Sequence, residues 1–250
     1  MSISSKIIIV LPVLNEIENI RPLLDGIRQH LGDRDYTICL VDDGSRDGTP
    51  EFIRDAMTRP GHRLHLIERR KTHHGSQRGS ALFAAMRWGL CEGGGSIFVE
   101  MDGDLSHRPE ELASGLALIE KGSADVVIAS KYLPGSKVTN RPIGRRLVSI
   151  ICNLSVRATI SPRVTDYSNG YRFYTRDAAA LVGQAKIRYG SPIYLTEVMA
   201  IWISHGMRIA EFPTHYVGRN EGLSKLRVID LVKASIGVVE IAYRLHFGRL

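Results

Sequence analysis

Residues 97–110 read IFVEMDGDLSHRPE, an apolar run that climbs into two aspartates one residue apart and then meets Pro109 and Glu110. A strand core has no use for carboxylates at its exit, because ionised groups leave water only at large cost. Either Asp102 and Asp104 belong to a solvated turn, or a cation sits there. Turns favour Asp and Gly in any case, so the Asp-x-Asp pair alone supports both readings. Its surroundings have to decide.

Further strand patterns flank this one. KIIIVLPV (6–13), YTICLVDD (36–43), LHLIE (64–68), SIFVEMD (96–102) and ADVVIASKY (124–132) alternate with helical periods. The first, second and fourth are almost continuously apolar, as in parallel strands covered on both faces. Ile17, Ile20, Leu24, Ile27 and Leu31 fall on one side of a first helix. TPEFI opens a second, with Thr49 expected as N-cap and Pro50 as the first helical residue. RPEELASGLALIEKG opens a third, from Pro109 to Gly122. The pattern predicts an α/β fold with a mostly parallel sheet and helices on both faces.

In such sheets ligands bind beyond the carboxyl ends of the strands. The first strand ends in PVLNE, the second in VDDGS and the fourth in MDGD, so acidic clusters converge on one edge. That convergence favours the cation at Asp102 and Asp104, since Mg²⁺ and Mn²⁺ take oxygen ligands from carboxylates and substrate phosphates. Gly103 is expected to let both carboxylates face one point. In VDDGSRDGT (41–49), Asp47 and Thr49 suit a turn, while Asp42 or Asp43 can accept hydrogen bonds from a base or ribose. Neither G-x-G-x-x-G nor G-x-x-x-x-G-K-[ST] occurs, which removes the main support for dinucleotide and P-loop readings.

The chain has 250 residues, 44% of them apolar, enough for one large domain or two small ones. A net charge of +7 and a pI near 9.4 point to anionic partners: nucleic acid, lipid headgroups or phosphorylated substrates. Cys39, Cys91 and Cys152 stand singly with no metal spacing, so each is expected in the core and a reducing cytoplasm is the default. MSISSKIIIVLPVLNE lacks the build of a signal peptide, and no uncharged apolar run reaches the ~18 residues of a membrane span. His73, His74 and His107 form no zinc spacing; His107 behind the aspartate pair fits a supporting shell or the surface equally.

PVLNE, VDDGSRDGT, MDGDLSHRPEEL, DYSNGYRFYTRDA and GLSKL, in that order, resemble family 2 inverting glycosyltransferases of the GT-A fold, and among them dolichol-phosphate mannose synthases. The resemblance spans residues 6–227. It implies contacts from Pro12, Asn15, Glu16, Asp42 and Asp43 to the nucleotide, and Asp102 and Asp104 on a Mg²⁺ or Mn²⁺ ion that bridges the donor diphosphate. It further implies an acceptor lipid phosphate held by Lys131, Arg145, Arg146, Arg172, Arg219 and Lys225. Arginine suits phosphate because its planar fork matches two oxygens at once. Two departures stand out: Lys131 where the family often has arginine, and Arg78 where it has a small apolar residue. The implied division is a GT-A domain over 1–227, donor half 1–104 and acceptor half 105–227, with a C-terminal helix over 228–250.

That helix, VIDLVKASIGVVEIAYRLHF, is apolar except for Asp230, Lys233, Glu240 and Arg244, which form one narrow stripe with Gly237. Something must cover its apolar surface: the protein's own core, a membrane surface or a membrane partner. The expected reaction moves a sugar, mannose from GDP-mannose first, to a polyprenyl or dolichyl phosphate at the cytoplasmic membrane face. An anionic acceptor needs positioning more than a general base. A rival uses UDP-glucose or UDP-GlcNAc with a polyprenyl phosphate or glycan hydroxyl; a hydroxyl would need a carboxylate base, for which Asp166 and Glu197 are candidates. A nonenzymatic nucleotide-binding or nucleic-acid-binding protein is the third reading, disfavoured by the intact aspartate pair and the lack of a basic–aromatic RNA motif.

Overall fold

The structure, a computed structural model, describes residues 5–69, 78–190, 193–218 and 228–248; at 145 and 228–234 it describes the backbone alone. The first half alternates as expected: β1 (Ile7–Val13), α1 (Ile17–Leu31), β2 (Tyr36–Asp42), α2 (Thr49–Met57), β3 (Leu64–Glu68), α3 (Arg78–Cys91) and β4 (Ile97–Glu100). A single 3₁₀ turn at Pro109–Glu111 leads into α4 (Leu112–Glu120), then β5 (Val126–Ser130), β6 (Lys137–Thr139) and α5 (Ile143–Thr159). The chain continues with β7 (Arg172–Thr175), α6 (Arg176–Gln184), α7 (Tyr194–Ser204), β8 (Ile209–Pro213), β9 (His215–Val217) and α8 (Val228–His246).

The main sheet runs β3-β2-β1-β4-β7-β5-β8, parallel throughout except for β7, which is antiparallel to both neighbours. β6 and β9 form a small parallel pair beside it. One face is covered by α1, α2 and α4 through Ile20, Leu24, Ile27, Ile53, Leu112 and Leu116. The other is covered by α3, α6, α7 and α8 through Ala81, Met86, Ala178, Val198, Trp202 and Ile241. The apolar runs at β1, β2 and β4 thus became central strands buried on both sides, where burial of each large side chain is worth roughly 1.5–3 kcal/mol.

Several local expectations need correcting. Thr49 is the first helical residue of α2, not its cap; Gly48 precedes it in the left-handed region at φ +94°. β4 stops at Glu100, so Asp102 and Asp104 sit in the loop beyond it. Only Cys39 is in the core; Cys91 and Cys152 are exposed, because each lies on the outer side of its helix.

The described part of the α8 stripe, Gly237, Glu240 and Arg244, faces the body of the protein. Gly237 lets the helix approach closely: a Cβ there would meet Ile193 Cδ1 at 3.1 Å and the Tyr189 ring at 3.3 Å. Glu240 accepts from Arg188 Nη1 at 2.5 Å and the Tyr189 hydroxyl at 2.6 Å, and Arg244 donates to buried Glu197 at 2.6 Å. Ile236, Val239, Tyr243 and Phe247 point outward instead. The neighbouring helix α5 repeats this with Ile143, Leu147, Ile151 and Leu154, and exposure across the two stripes runs from 48% at Tyr243 to 77% at Ile143.

Candidate active site

The β1 and β2 tips are stitched together by their polar residues. Asn15 adopts φ +55°, a left-handed conformation that asparagine tolerates. Its N–H donates to Ser45 Oγ at 2.8 Å and its Oδ1 accepts from the Arg46 N–H at 2.8 Å. Asp42 Oδ2 accepts from the N–H groups of Gly44 at 2.9 Å and Ser45 at 3.0 Å. Asp47 accepts from Thr49 and from the Ile17 N–H, each at 3.0 Å, and Thr49 Oγ1 accepts from the Glu16 N–H at 3.1 Å. Asp47 and Thr49 therefore do serve in the turn. Asp43 is different: Arg69 donates to its Oδ1 from Nε at 2.8 Å and from Nη2 at 2.5 Å.

The register of β1 on β4 brings Val10 opposite Glu100, so the loop that follows β4 lies against Pro12 and Val13. Gly103 matters here through close approach: a Cβ would meet Val13 Cγ1 at 3.1 Å and the Pro12 carbonyl oxygen at 3.4 Å. The left-handed residue of the loop is Leu105, at φ +61°. A bulky residue held there is local strain, which tends to mark functional loops. Asp104 Oδ1 accepts from the Ser106 N–H at 3.0 Å. The Asp102 N–H donates to His107 Nδ1 at 3.0 Å, which leaves the ring proton on Nε2, facing Asn169 Oδ1 at 3.0 Å. His107 is buried and stacked on Tyr171, and burial pushes its pKa down despite the nearby Asp102 carboxylate. It fixes the loop from behind.

Cations approach the same loop. Arg78, at the start of α3, forms an ion pair with Asp102. Lys131 Nζ lies 5.2 Å from the Tyr216 ring centroid and the Arg141 guanidinium carbon 5.9 Å from it, while Tyr216 meets His107 edge-on at 6.1 Å. Burial raises the Tyr216 phenol pKa, and Asp102 and Asp104 raise it further. The Ser106 hydroxyl is buried close to that phenol without an aligned hydrogen bond. Lys131 is itself buried and sits 3.4 Å from Asp166, with burial lowering its pKa and Asp166 opposing the shift.

Not every expected residue joins this group. Arg172 is fully buried in β7, and its guanidinium donates to the carbonyls of Asn169 at 2.9 Å, Leu195 at 2.9 Å and Tyr167 at 3.0 Å. Its donors are turned into the sheet, so the acceptor contact expected of it is replaced by a structural one. Arg146 is exposed on the first turn of α5. Arg145 shares that turn, but its side chain, like all of Arg219, Lys225, His73 and His74, lies outside the described residues. Both candidate bases are occupied. Asp166 accepts from the N–H groups of Lys131 at 3.0 Å, Ser168 at 2.9 Å and Asn169 at 3.0 Å. Glu197 accepts from those of Arg188 at 3.0 Å and Tyr189 at 3.1 Å and pairs with Arg244. Sequence reasoning missed Arg69, Ser106, Arg141 and Tyr216. Only Arg141 carried a signal, as the first cation of the RPIGRR cluster.

Residues 8–182, most of the chain and all of the strands and loops just described up to α6, match the family described as Glycosyl transferase family 2. The chain belongs to that family. It is 32% identical to polyprenol monophosphomannose synthase of Mycolicibacterium smegmatis over 99% of this chain and 89% of that protein. It is 34% identical to undecaprenyl-phosphate mannosyltransferase of Micrococcus luteus over 88% of this chain and 87% of that one. Among solved structures, glucosyl-3-phosphoglycerate synthase of Mycobacterium tuberculosis, in complex with Mn²⁺, UDP-glucose and phosphoglyceric acid, superposes with a TM-score of 0.67 at 18% identity. That match covers 96% of this chain and 80% of the other, and it shows the shared GT-A fold. The family 2 chain is a glycosyltransferase, as its motifs imply.

Proposed function

We propose that this family 2 enzyme moves mannose from GDP-mannose to a polyprenyl phosphate, with inversion and with a divalent ion, at the cytoplasmic face of a membrane. The observation that carries the reading is the pairing of two opposed clusters. Asp102 and Asp104 line one side of a loop whose other neighbours are Lys131 and Arg141, stacked about Tyr216. Asp166 and Glu197, the carboxylates that a hydroxyl acceptor would need as a base, are both occupied by backbone N–H groups and a buried cation. A phosphate monoester is already an anionic nucleophile and needs no base. The names of the relatives agree, since both act on a prenyl phosphate with mannose.

In this reading the donor half, 1–104, holds the nucleotide through Pro12, Asn15, Glu16, Asp42 and Asp43. Asn15 and Asp42 shape the loop, and Arg69 orients Asp43. The carboxylates of Asp102 and Asp104 are hard oxygen donors of the kind that suit Mg²⁺ or Mn²⁺. Among the described residues no three His, Cys, Asp or Glu side chains gather into a cage, so diphosphate oxygens would complete the shell. A bound ion would neutralise the leaving diphosphate. The acceptor half, 105–227, presents Lys131, Arg141, Arg145, Arg146, Arg219 and Lys225 to the lipid phosphate, and Arg172 supports Glu100 and Asn169 from inside the sheet.

The acceptor lies in a bilayer, and no helix among the described residues is long and apolar enough to cross one. The outward stripes of α5 and α8 supply an apolar surface for peripheral docking, with Arg146 at its margin. Amphipathic helices bind interfaces this way, aided by about 1 kcal/mol per basic residue near anionic lipid. A membrane protein with an apolar face is the other partner that would satisfy these stripes. A panel of GDP- and UDP-sugars against short polyprenyl phosphates, with Mg²⁺ or Mn²⁺, tests the proposal. Mannosyl lipid from GDP-mannose is the expected product; product from a UDP-sugar alone would overturn the donor.

A further inference from the structure

We infer that Arg78 is a tethered counter-cation: it holds Asp102 in the ligand-free enzyme, competes there with the divalent ion, and moves to the donor diphosphate when that ion binds. The inference rests on the metal-assisted reading above and adds an order to it. Metal and nucleotide enter together because neither alone satisfies the charges already present.

The guanidinium sits in a shaped slot. Its Nη1 pairs with Asp102 Oδ1, its Nη2 lies 3.5 Å from Glu100 Oε1, and its Nε donates to the Tyr194 hydroxyl at 3.1 Å. The Tyr194 hydroxyl donates in turn to Glu100. Gly170 forms the floor, and any side chain there would collide with the guanidinium. Gly79 lets the first turn of α3 settle on the Tyr194 ring, where an added Cβ would lie 3.0 Å from Cγ. Glu100 is 1% exposed and Arg78 25%, so the fork is anchored at its buried end and reaches solvent at the other.

A guanidinium and a divalent ion cannot share one carboxylate without strong mutual repulsion in a partly desolvated cleft. Bringing the ion alone therefore requires Arg78 to give up Asp102 with no new anion brought in to replace it. A nucleoside diphosphate changes the sign of the problem. Its oxygens accept the ion and also match the arginine fork in two parallel hydrogen bonds. Coupling of this kind is reciprocal, so whatever factor the nucleotide adds to metal affinity the metal adds to nucleotide affinity.

Mn²⁺ binding, followed by the electron paramagnetic resonance signal of the free ion, reads this without turnover. Wild type, Arg78→Gln, Arg78→Leu and Arg78→Lys are titrated with Mn²⁺ alone and with Mn²⁺ plus GDP or UDP. The neutral variants should bind Mn²⁺ alone about tenfold or more tightly than wild type, and the tightening produced by the nucleotide should shrink accordingly. Arg78→Lys, which keeps the charge, should stay within a few fold of wild type. A folded neutral variant with wild-type Mn²⁺ affinity overturns the inference while leaving the metal reading intact. Wild type binding Mn²⁺ equally well with and without either nucleotide also overturns it, with no variant needed. Absence of Mn²⁺ binding to wild type even with nucleotide removes the metal reading and this inference together.

Discussion

At the tips of β1, β2 and β4, polar side chains do what their types suggest: Asn15, Asp42 and Asp47 build loops, and Asp102 and Asp104 stand at the cleft. In β7 and α8 the same kinds of side chain turn inward. Arg172 closes three carbonyls inside the sheet, and Glu240 and Arg244 form the seam of α8, while isoleucine, leucine, tyrosine and phenylalanine face outward. The difference lies in what fixes direction. A strand end has one geometry, so a polar residue just past it must project over the sheet edge. A helix repeats its faces every few residues, and periodicity defines a stripe without saying which side the body lies on.

The sharpest way to break the comparison is Arg172→Ala. If the residue belongs to the sheet, truncation leaves three buried carbonyls unsatisfied and Glu100 short of a partner. A loss of about 3–5 kcal/mol is expected in denaturant unfolding. A fully stable variant with weakened acceptor use would return Arg172 to the acceptor site.

Next is the cleft itself. Asp104→Asn should lower transfer about a hundredfold, near 2.7 kcal/mol in the barrier, with the melting temperature almost unchanged, since its backbone bond from Ser106 survives. Calorimetry of Mn²⁺ and nucleotide binding should weaken in step. Normal turnover in this variant would remove the aspartate pair from the chemistry.

Smaller effects separate the two sides of the helices. Leu147→Ser with Ile151→Ser should keep the fold and reduce co-sedimentation with anionic vesicles about thirtyfold, given up to ~1.5–3 kcal/mol for each fully buried side chain. Ile241→Ser, on the inner face of α8, should instead destabilise the protein by about 2–5 kcal/mol. Equal effects of both on folding would mean that the outer stripe is structural.

The smallest expected change is Arg141→Ala, which should raise the KM for lipid phosphate about tenfold and leave donor binding near normal, as loss of one charge-assisted contact implies. Lys131 is a poorer probe, because its removal strands buried Asp166. An unaltered KM would move the acceptor phosphate elsewhere.

Most of the fold was legible in the sequence because buried parallel strands are written as continuous apolar runs: β1, β2 and β4 appear where IIIVLPV, YTICLVD and IFVE predict them. The acidic loops at the carboxyl ends of these strands were legible for the same reason. The fold's second half was harder. β7 is short and antiparallel, so no strand–helix rhythm announces it, although the aromatic run RFYT does. Arg69 and Tyr216 come from a strand exit and a three-residue strand, and nothing local to either marks a site. Arg172 misled because arginine near a phosphate motif and arginine tying a sheet together look identical until its carbonyl partners are known.

The central claim is that an anionic lipid phosphate, rather than a hydroxyl, is the nucleophile. The direct measurement incubates the purified protein with GDP-mannose and a divalent ion, offering either a short polyprenyl phosphate or the same polyprenol without phosphate. Products are read by mass spectrometry. Mannosyl phosphoprenol should form from the phosphate, with no mannosyl prenol from the alcohol. Comparable transfer to the free alcohol would contradict the account, because Asp166 and Glu197 are held too firmly to act as its base.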